Sequence, residues 1–162
     1  MRVMKEKQSA IINLLKGLSI FGELDDPAIG ELARISDERV FSKGETIFEE
    51  GSAGNSMMVI LSGEVRVSHR SETAREETLS ILKEGDFFGE MALLDDLPRS
   101  ATVIAHTDAF LLEITRRKFM RFVEKDSVSG VKILLNLAKN LSFRLREANT
   151  KIKAFVTLSQ WI

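Results

Sequence analysis

The spacing of apolar positions changes period twice along the chain and divides it into three parts. In residues 8–18, Ile11, Leu14, Leu15 and Leu18 recur at the interval of one helical face, and Ser9 stands where an N-cap would. A second short helix is predicted from Asp25-Asp26-Pro27, where Asp caps and Pro is tolerated, through Ala28, Ile29, Leu32 and Ala33. Both helices are expected to pack against one end of the sheet that follows. From Val40 to Ile114 the runs become short and are bounded by Gly44, Gly51, Gly54, Gly63, Gly85 and Gly89. That pattern predicts short antiparallel strands closed into a sandwich or jelly roll. Residues 57–61 and 65–67 flank Ser62-Gly63-Glu64, which reads as a tight hairpin. Residues 78–82, 101–105 and 109–114 read as further strands, and residues 70–77 as a polar loop.

Helical periodicity returns after Thr115. Residues 116–123 form one short amphipathic helix, and a longer one starts near residues 127–130. In it, Val131, Leu134, Ala138, Leu141, Leu145, Ala148, Ile152 and Phe155 alternate at spacings of three and four without a break. This is an a/d heptad seam about 25 residues long, roughly 38 Å at 1.5 Å per residue. Its regularity predicts a parallel two-stranded homodimer through residues 131–155, with the small Ala138 and Ala148 permitting close approach. Ile133, Leu135 and Leu137 lie off the seam and are expected to face the sheets.

Composition narrows the functional classes. A chain of 162 residues, 44% apolar, is long enough for one domain with a substantial core. The absence of cysteine excludes disulfides, thiolate metal sites and a cysteine nucleophile. The N-terminal residues lack the apolar region of a signal peptide, and no run approaches a membrane span, so a soluble, cytoplasmic chain is expected. The net charge of −1 hides an asymmetry: beyond Thr115, eleven Lys or Arg stand against Glu124, Asp126 and Glu147. This reads as a solvated helix face; without a helix-turn-helix pattern, nucleic acid is not the leading partner. His69 and His106 read as surface strand residues and Asp95-Asp96 as a solvated turn, so neither a metal site nor an enzyme is expected.

The chemistry concentrates in residues 85–101. Arg99 carries a planar fork of donors matched to a phosphate, Ser100 adds a hydroxyl, and Glu90 accepts hydrogen bonds from a sugar hydroxyl. Gly85 and Gly89 permit tight turns that bring backbone N–H groups, such as those near Ala92 and Ala101, close to an anion. Taken singly, Arg99 and Glu90 would read as a surface ion pair. Together, Phe88-Gly89-Glu90-Met91-Ala92-Leu93 and Pro98-Arg99-Ser100-Ala101 resemble the phosphate-binding cassette of the cyclic-nucleotide-binding domain family. Upstream, residues 43–51, 57–67 and 83–87 follow the order of that family, so the resemblance covers roughly residues 20–155.

The resemblance implies that Arg99 contacts a cyclic phosphate, that Glu90 and the Gly89 backbone hold the ribose 2′-OH, and that Ser100 sits beside phosphate or purine. Arg-Ser-Ala at 99–101 is similar to cyclic AMP-responsive members, so cyclic AMP is the expected ligand and cyclic GMP the alternative. Val65 and Leu79 match positions lining the nucleotide pocket; as apolar strand residues they fit a core equally well. Aligning the seam with the dimer helix of those members places Arg144 and Asn149 at the site, beside a reading of both as exposed helix residues.

The fold expected is α+β: an antiparallel β-roll (residues 40–115) with N-terminal helices (1–39) and C-terminal helices (116–162) that include the dimerisation helix. The function expected is a stand-alone regulatory module that binds a cyclic nucleotide, requires no cofactor and relays occupancy through its last helix to a downstream protein. Seven residues follow Phe155, and no DNA-binding domain is expected. Two further readings stay open: a β-roll sensing a non-nucleotide effector, and a dimeric scaffold with a vestigial pocket.

Overall fold

The computed structural model describes residues 2–70 and 76–159. The chain runs α1 (Arg2–Gly17), α2 (Asp26–Ile35), β1 (Asp37–Phe41), β2 (Thr46–Phe48), β3 (Ser56–Ser62), β4 (Glu64–Arg70), β5 (Glu76–Lys83) and β6 (Phe87–Phe88). A 3-10 turn (Glu90–Leu93) follows, then β7 (Thr102–Ala105), β8 (Ala109–Thr115), α3 (Arg116–Lys125) and α4 (Ser127–Ser159). The strands form two antiparallel four-stranded sheets, ordered β1-β8-β3-β6 and β2-β7-β4-β5. This is the expected β-roll with flanking helices and a long C-terminal helix.

Strand parity explains the layering. Alternate side chains of a strand point to opposite faces, and β3 is buried on both. Met57 and Val59 join Leu112 and Ile114 of β8 beneath the helices, in a core with Leu15, Ile29, Leu32, Phe119 and Ile133. Met58 and Ile60 point the other way, into a second core between the sheets with Val65, Val103, Ala105 and Leu111. Phe87 belongs to the first core and its neighbour Phe88 to the second.

The helix termini follow their sequence signals at α2 but not at α1. Asp25 caps α2 by accepting from the Ala28 N–H (2.9 Å), with Pro27 in the first turn. Ser9 is no cap: α1 starts at Arg2, because helix-forming residues precede Ser9 and carry the helix through it. Its buried positions, Ile11 and Leu15, are those the period indicated. Asp126 caps α4 through the Ser129 N–H (3.1 Å), and the Ser129 bonds hold its carboxyl below the usual range. Gly130 then lets α4 close on α3, since a Cβ there would lie 2.7 Å from Val123.

The Ser62-Gly63-Glu64 connection is not a hairpin. β3 and β4 lie in different sheets, and the segment is a corner at which the chain passes from one to the other. Gly63 makes the corner, with φ +85° and no room for a Cβ, which would stand 2.2 Å from the Asp108 carbonyl. β4 instead pairs with β5, and the two strands reach Arg70 and Glu76, narrowing the expected polar loop. Residues 71–75 of that loop lie outside the described residues. Of the three off-seam residues of α4, Ile133 and Leu137 are buried as expected, but Leu135 is exposed, one position round the helix from the buried face.

The corner supports a direct test. Gly63→Ala combines a left-handed backbone with a clash against main chain, so it is expected to lower unfolding stability by about 3 kcal/mol or more. Chemical denaturation measures this; an unchanged midpoint would contradict the corner geometry.

Candidate ligand site

The second core opens at one end into a cleft of about 450 Å³. One wall is sheet: Val67, Ser80, Leu82 and Val103, with Phe88 opposite. The floor is the 3-10 turn with Arg99, Ser100 and Ala101, and α4 closes the mouth with Arg144 and Glu147.

Several local features hold Arg99. Its backbone is fixed to the β2–β3 connection, the Arg99 N–H donating to Ser52 O and the Gly51 N–H to Arg99 O, both at 2.8 Å. Its guanidinium lies over the Phe48 ring, 3.4 Å from the centroid, while Nη2 donates to Ser56 Oγ (3.2 Å) and Nη1 to the Gly89 carbonyl (3.4 Å). Phe48 is itself braced edge-on by Phe88. Gly89 has φ +73°, and a Cβ there would meet Arg99 Nη1 at 2.7 Å.

Arg99 is 8% exposed, and its Nε is buried with no partner among the described residues. No described carboxylate forms an ion pair with it. Burial pushes its pKa below the ordinary guanidinium value, the Glu113 carboxylate pulling the other way, and the group keeps its charge. A buried cation with neutral partners is uncompensated, and such a group is stabilised by an incoming anion.

Glu90 is 2% exposed and does not pair with Arg99. It accepts from Arg144 Nη1 of α4 at 2.5 Å, so the last helix is tied directly to the floor. The Ala92 N–H, expected as a donor to an anion, is taken by the Gly89 carbonyl within the 3-10 turn (3.2 Å).

The structure therefore gathers Phe88, Gly89, Glu90, Met91, Arg99, Ser100, Ala101 and Arg144 around one cleft, with Ala92 buried beneath. It separates three residues from them. Val65 is fully buried in the second core, one step deeper on the face that carries Val67. Leu79 is 62% exposed on the opposite face of β5, and Ser80 and Leu82 take its place in the wall. Asn149 is exposed on α4 and does not border the cleft, whereas Glu147 does. Phe48 and Ser56, which orient Arg99, were not singled out; their signal is register across the sheets rather than any motif. Asp95-Asp96 is more than a solvated turn, because Arg116 at the start of α3 donates to Asp95 O (3.2 Å) and pairs with Asp96.

Comparison with known proteins agrees with this geometry. Residues 38–126 match the family model of the cyclic nucleotide-binding domain. The chain is 36% identical over 124 residues to the cGMP-dependent protein kinase egl-4 of Caenorhabditis briggsae, covering 75% of this chain and 17% of the kinase. It is 31% identical over 138 residues to the cyclic AMP receptor protein of Thermus thermophilus, covering 85% of this chain and 62% of the receptor. The crystal structure of the catabolite activator protein of Thermus thermophilus superposes with a TM-score of 0.77 at 30% identity, covering 85% of this chain and 62% of that one. The chain thus spans less than two thirds of these relatives.

The Glu90–Arg144 pair is testable without a ligand. Arg144→Ala leaves a buried carboxylate unpaired and is expected to cost about 1–2 kcal/mol, moderated because Arg144 is half-exposed. Adding Glu90→Gln removes the stranded charge and recovers part of the loss; equal melting temperatures for wild type and Arg144→Ala would contradict the pairing.

Proposed function

Because the chain belongs to the cyclic nucleotide-binding domain family, we propose that it binds a cyclic nucleotide, cyclic AMP by preference, as a non-catalytic cytoplasmic regulatory module. The observation that carries this reading is the uncompensated Arg99 guanidinium at the floor of the cleft. A cyclic phosphodiester brings one negative charge, which one buried guanidinium neutralises. A 5′-monophosphate brings a further charge that finds no second cation at the floor. Glu90, next in sequence to the Gly89 whose carbonyl holds Arg99, offers acceptor oxygens to a ribose 2′-OH, and the apolar wall of Val67, Leu82 and Val103 suits the face of a purine. One relative is named for cyclic AMP and another for cyclic GMP. Ser100, rather than threonine, favours the former by resemblance.

The dimer is part of the proposal. Val131, Leu134, Leu145, Ile152 and Phe155 of the seam are exposed on the single chain, and a second copy of α4 would cover them. With Val131 at a heptad a position, Arg144 and Lys151 both fall at g. An antiparallel pair sets g against g and brings these cations together; a parallel pair sets g against e of the next heptad. The parallel arrangement therefore places Asn149 of the partner subunit beside Arg144 at the mouth of the cleft. That supports a role for Asn149 across the dimer which it lacks within its own chain. Occupancy would be relayed along α4, which contributes both Arg144 and the seam, to an unidentified downstream protein.

Calorimetry on nucleotide-stripped protein tests the ligand, with cyclic AMP, cyclic GMP and 5′-AMP as titrants. Tight binding of cyclic AMP and none of 5′-AMP is expected, and Arg99→Ala is expected to weaken it about a hundredfold or more while the fold persists. Failure of both cyclic nucleotides to bind would turn the assignment toward a non-nucleotide effector or a scaffold.

For the seam, Leu145→Lys is expected to convert a dimer to a monomer in sedimentation. A monomeric wild type would remove the dimer from the proposal.

A further inference from the structure

The inter-sheet face of the β1-β8-β3-β6 sheet ends in charge. Register sets Ile60 beside Leu111, Met58 beside Glu113 and Ser56 beside Thr115. Paired residues share a face, so Glu113 and Ser56 lie on the side that Met58, Ile60 and Leu111 turn toward the second core. On the other flank of β8, β1 sets Arg39 beside Leu111 and Asp37 beside Glu113, on the same side again. Across the strands, this end of the face carries Arg39, Glu113 and Ser56, and Ser56 Oγ accepts from Arg99 Nη2 (3.2 Å).

Glu113 is an unexpected occupant of this face. Its side chain is 16% exposed, at a position where β8 otherwise turns apolar residues inward. The cation beside it, Arg39 Nη1, stands at 3.6 Å, beyond hydrogen-bond length, on a side chain 53% exposed. Asp37, the carboxylate directly opposite, is engaged by Lys118 of α3 (2.5 Å). The charge of Glu113 is therefore matched only in part, by an arginine that faces water.

A charge so placed acts at a distance. Its field persists through the low-dielectric interior, whereas solvent screens the field of Arg39. The Arg99 guanidinium beside Ser56 is buried and stands in that field, which holds its pKa up against the effect of burial. An anion drawn to Arg99 is repelled by the same carboxylate.

We propose that Glu113 moderates the attraction of Arg99 for a phosphodiester, and that Arg39, at the edge of the sheet, sets how much of the Glu113 charge reaches the cleft. This inference rests on the reading of the cleft as a cyclic-nucleotide site. Neither residue borders the cleft, and both are positioning residues that act through the charge of Arg99. Stability and affinity are opposed at Glu113. The carboxylate that favours a buried guanidinium in the absence of ligand disfavours the anion that would replace it.

The test titrates cyclic AMP and cyclic GMP into Glu113→Gln, Arg39→Gln and the double variant, and melts each without ligand. Glu113→Gln keeps the size of the side chain and removes its charge. It is expected to tighten binding about fivefold and to lower the ligand-free melting temperature. The factor is expected to be the same for each nucleotide that binds, since both carry one negative charge. Arg39→Gln leaves Glu113 unmatched and is expected to weaken binding about threefold, an effect that falls to less than about 1.5-fold in the Glu113→Gln background. A purely structural role for the pair would weaken binding in every variant. Unchanged or weaker binding by Glu113→Gln, unequal factors for the two nucleotides, an unchanged or raised ligand-free melting temperature, or equal effects of Arg39→Gln in both backgrounds would overturn the proposal and leave the cleft assignment standing. Failure of the wild type to bind either nucleotide would remove the assignment itself, and this inference with it.

Discussion

A charge buried without a paired carboxylate constrains much of this molecule. Arg99 sits in the floor of the cleft, stacked on Phe48, held by the Ser56 hydroxyl and the Gly89 carbonyl, with Nε unpartnered among the described residues. Placing a guanidinium there without a carboxylate is unfavourable, and the surrounding structure offsets that cost. Two backbone hydrogen bonds fix its main chain, and Phe88 braces Phe48. Gly89 supplies the left-handed turn that lets a carbonyl reach the guanidinium where a side chain would collide. The same arrangement is what an anion would find: donors already oriented, with little reorganisation left to do.

The two cores explain how so exposed a cleft is held rigid. β3 and β8 contribute alternate residues to the helical core and the inter-sheet core, so neither strand can slip by one residue without exchanging its contributions to both cores. Phe87 and Phe88 extend this logic to the site itself. One anchors the cassette beneath the helices and the other turns into the cleft. At the far end of the cassette, Leu93 is buried among Phe119 and Phe122 of α3 while Arg116 grips Asp95 and Asp96. The cassette is thus fastened to the helical layer at both ends.

Much of this was legible in the chain, for reasons that separate local from non-local signals. The cap at Asp25, the helix expected over residues 116–123 and found two residues longer, and the buried face of α2 follow from neighbours in sequence. The cassette was legible because its residues are contiguous. The Gly63 corner was misread because a tight turn and a change of sheet share the same sequence signature; only the partner of β4 distinguishes them. Leu79 was placed in the pocket by resemblance alone, and alternation could not check it, since β5 is an edge strand with apolar residues on both faces. Phe48 and Ser56 were invisible because their role depends on contact with a residue more than forty positions away.

The long helix joins these two kinds of information. Its seam residues occupy heptad positions a and d, while Ile133, Leu137, Asn140, Arg144 and Glu147 occupy c and g, a second stripe with the same alternation of three and four. At 100° per residue the stripes are centred roughly 110° apart, so they face different neighbours. The inward stripe is apolar where it covers the core, at Ile133 and Leu137, and polar where it passes the cleft, at Arg144 and Glu147. The change of character in a single stripe therefore marks where α4 stops being a structural cover and becomes a wall of the site. Because one rigid helix carries both stripes, a rotation that moves Arg144 relative to Glu90 also turns the seam. The cleft wall and the exposed seam are therefore coupled mechanically, since each is a boundary condition on the orientation of the same helix.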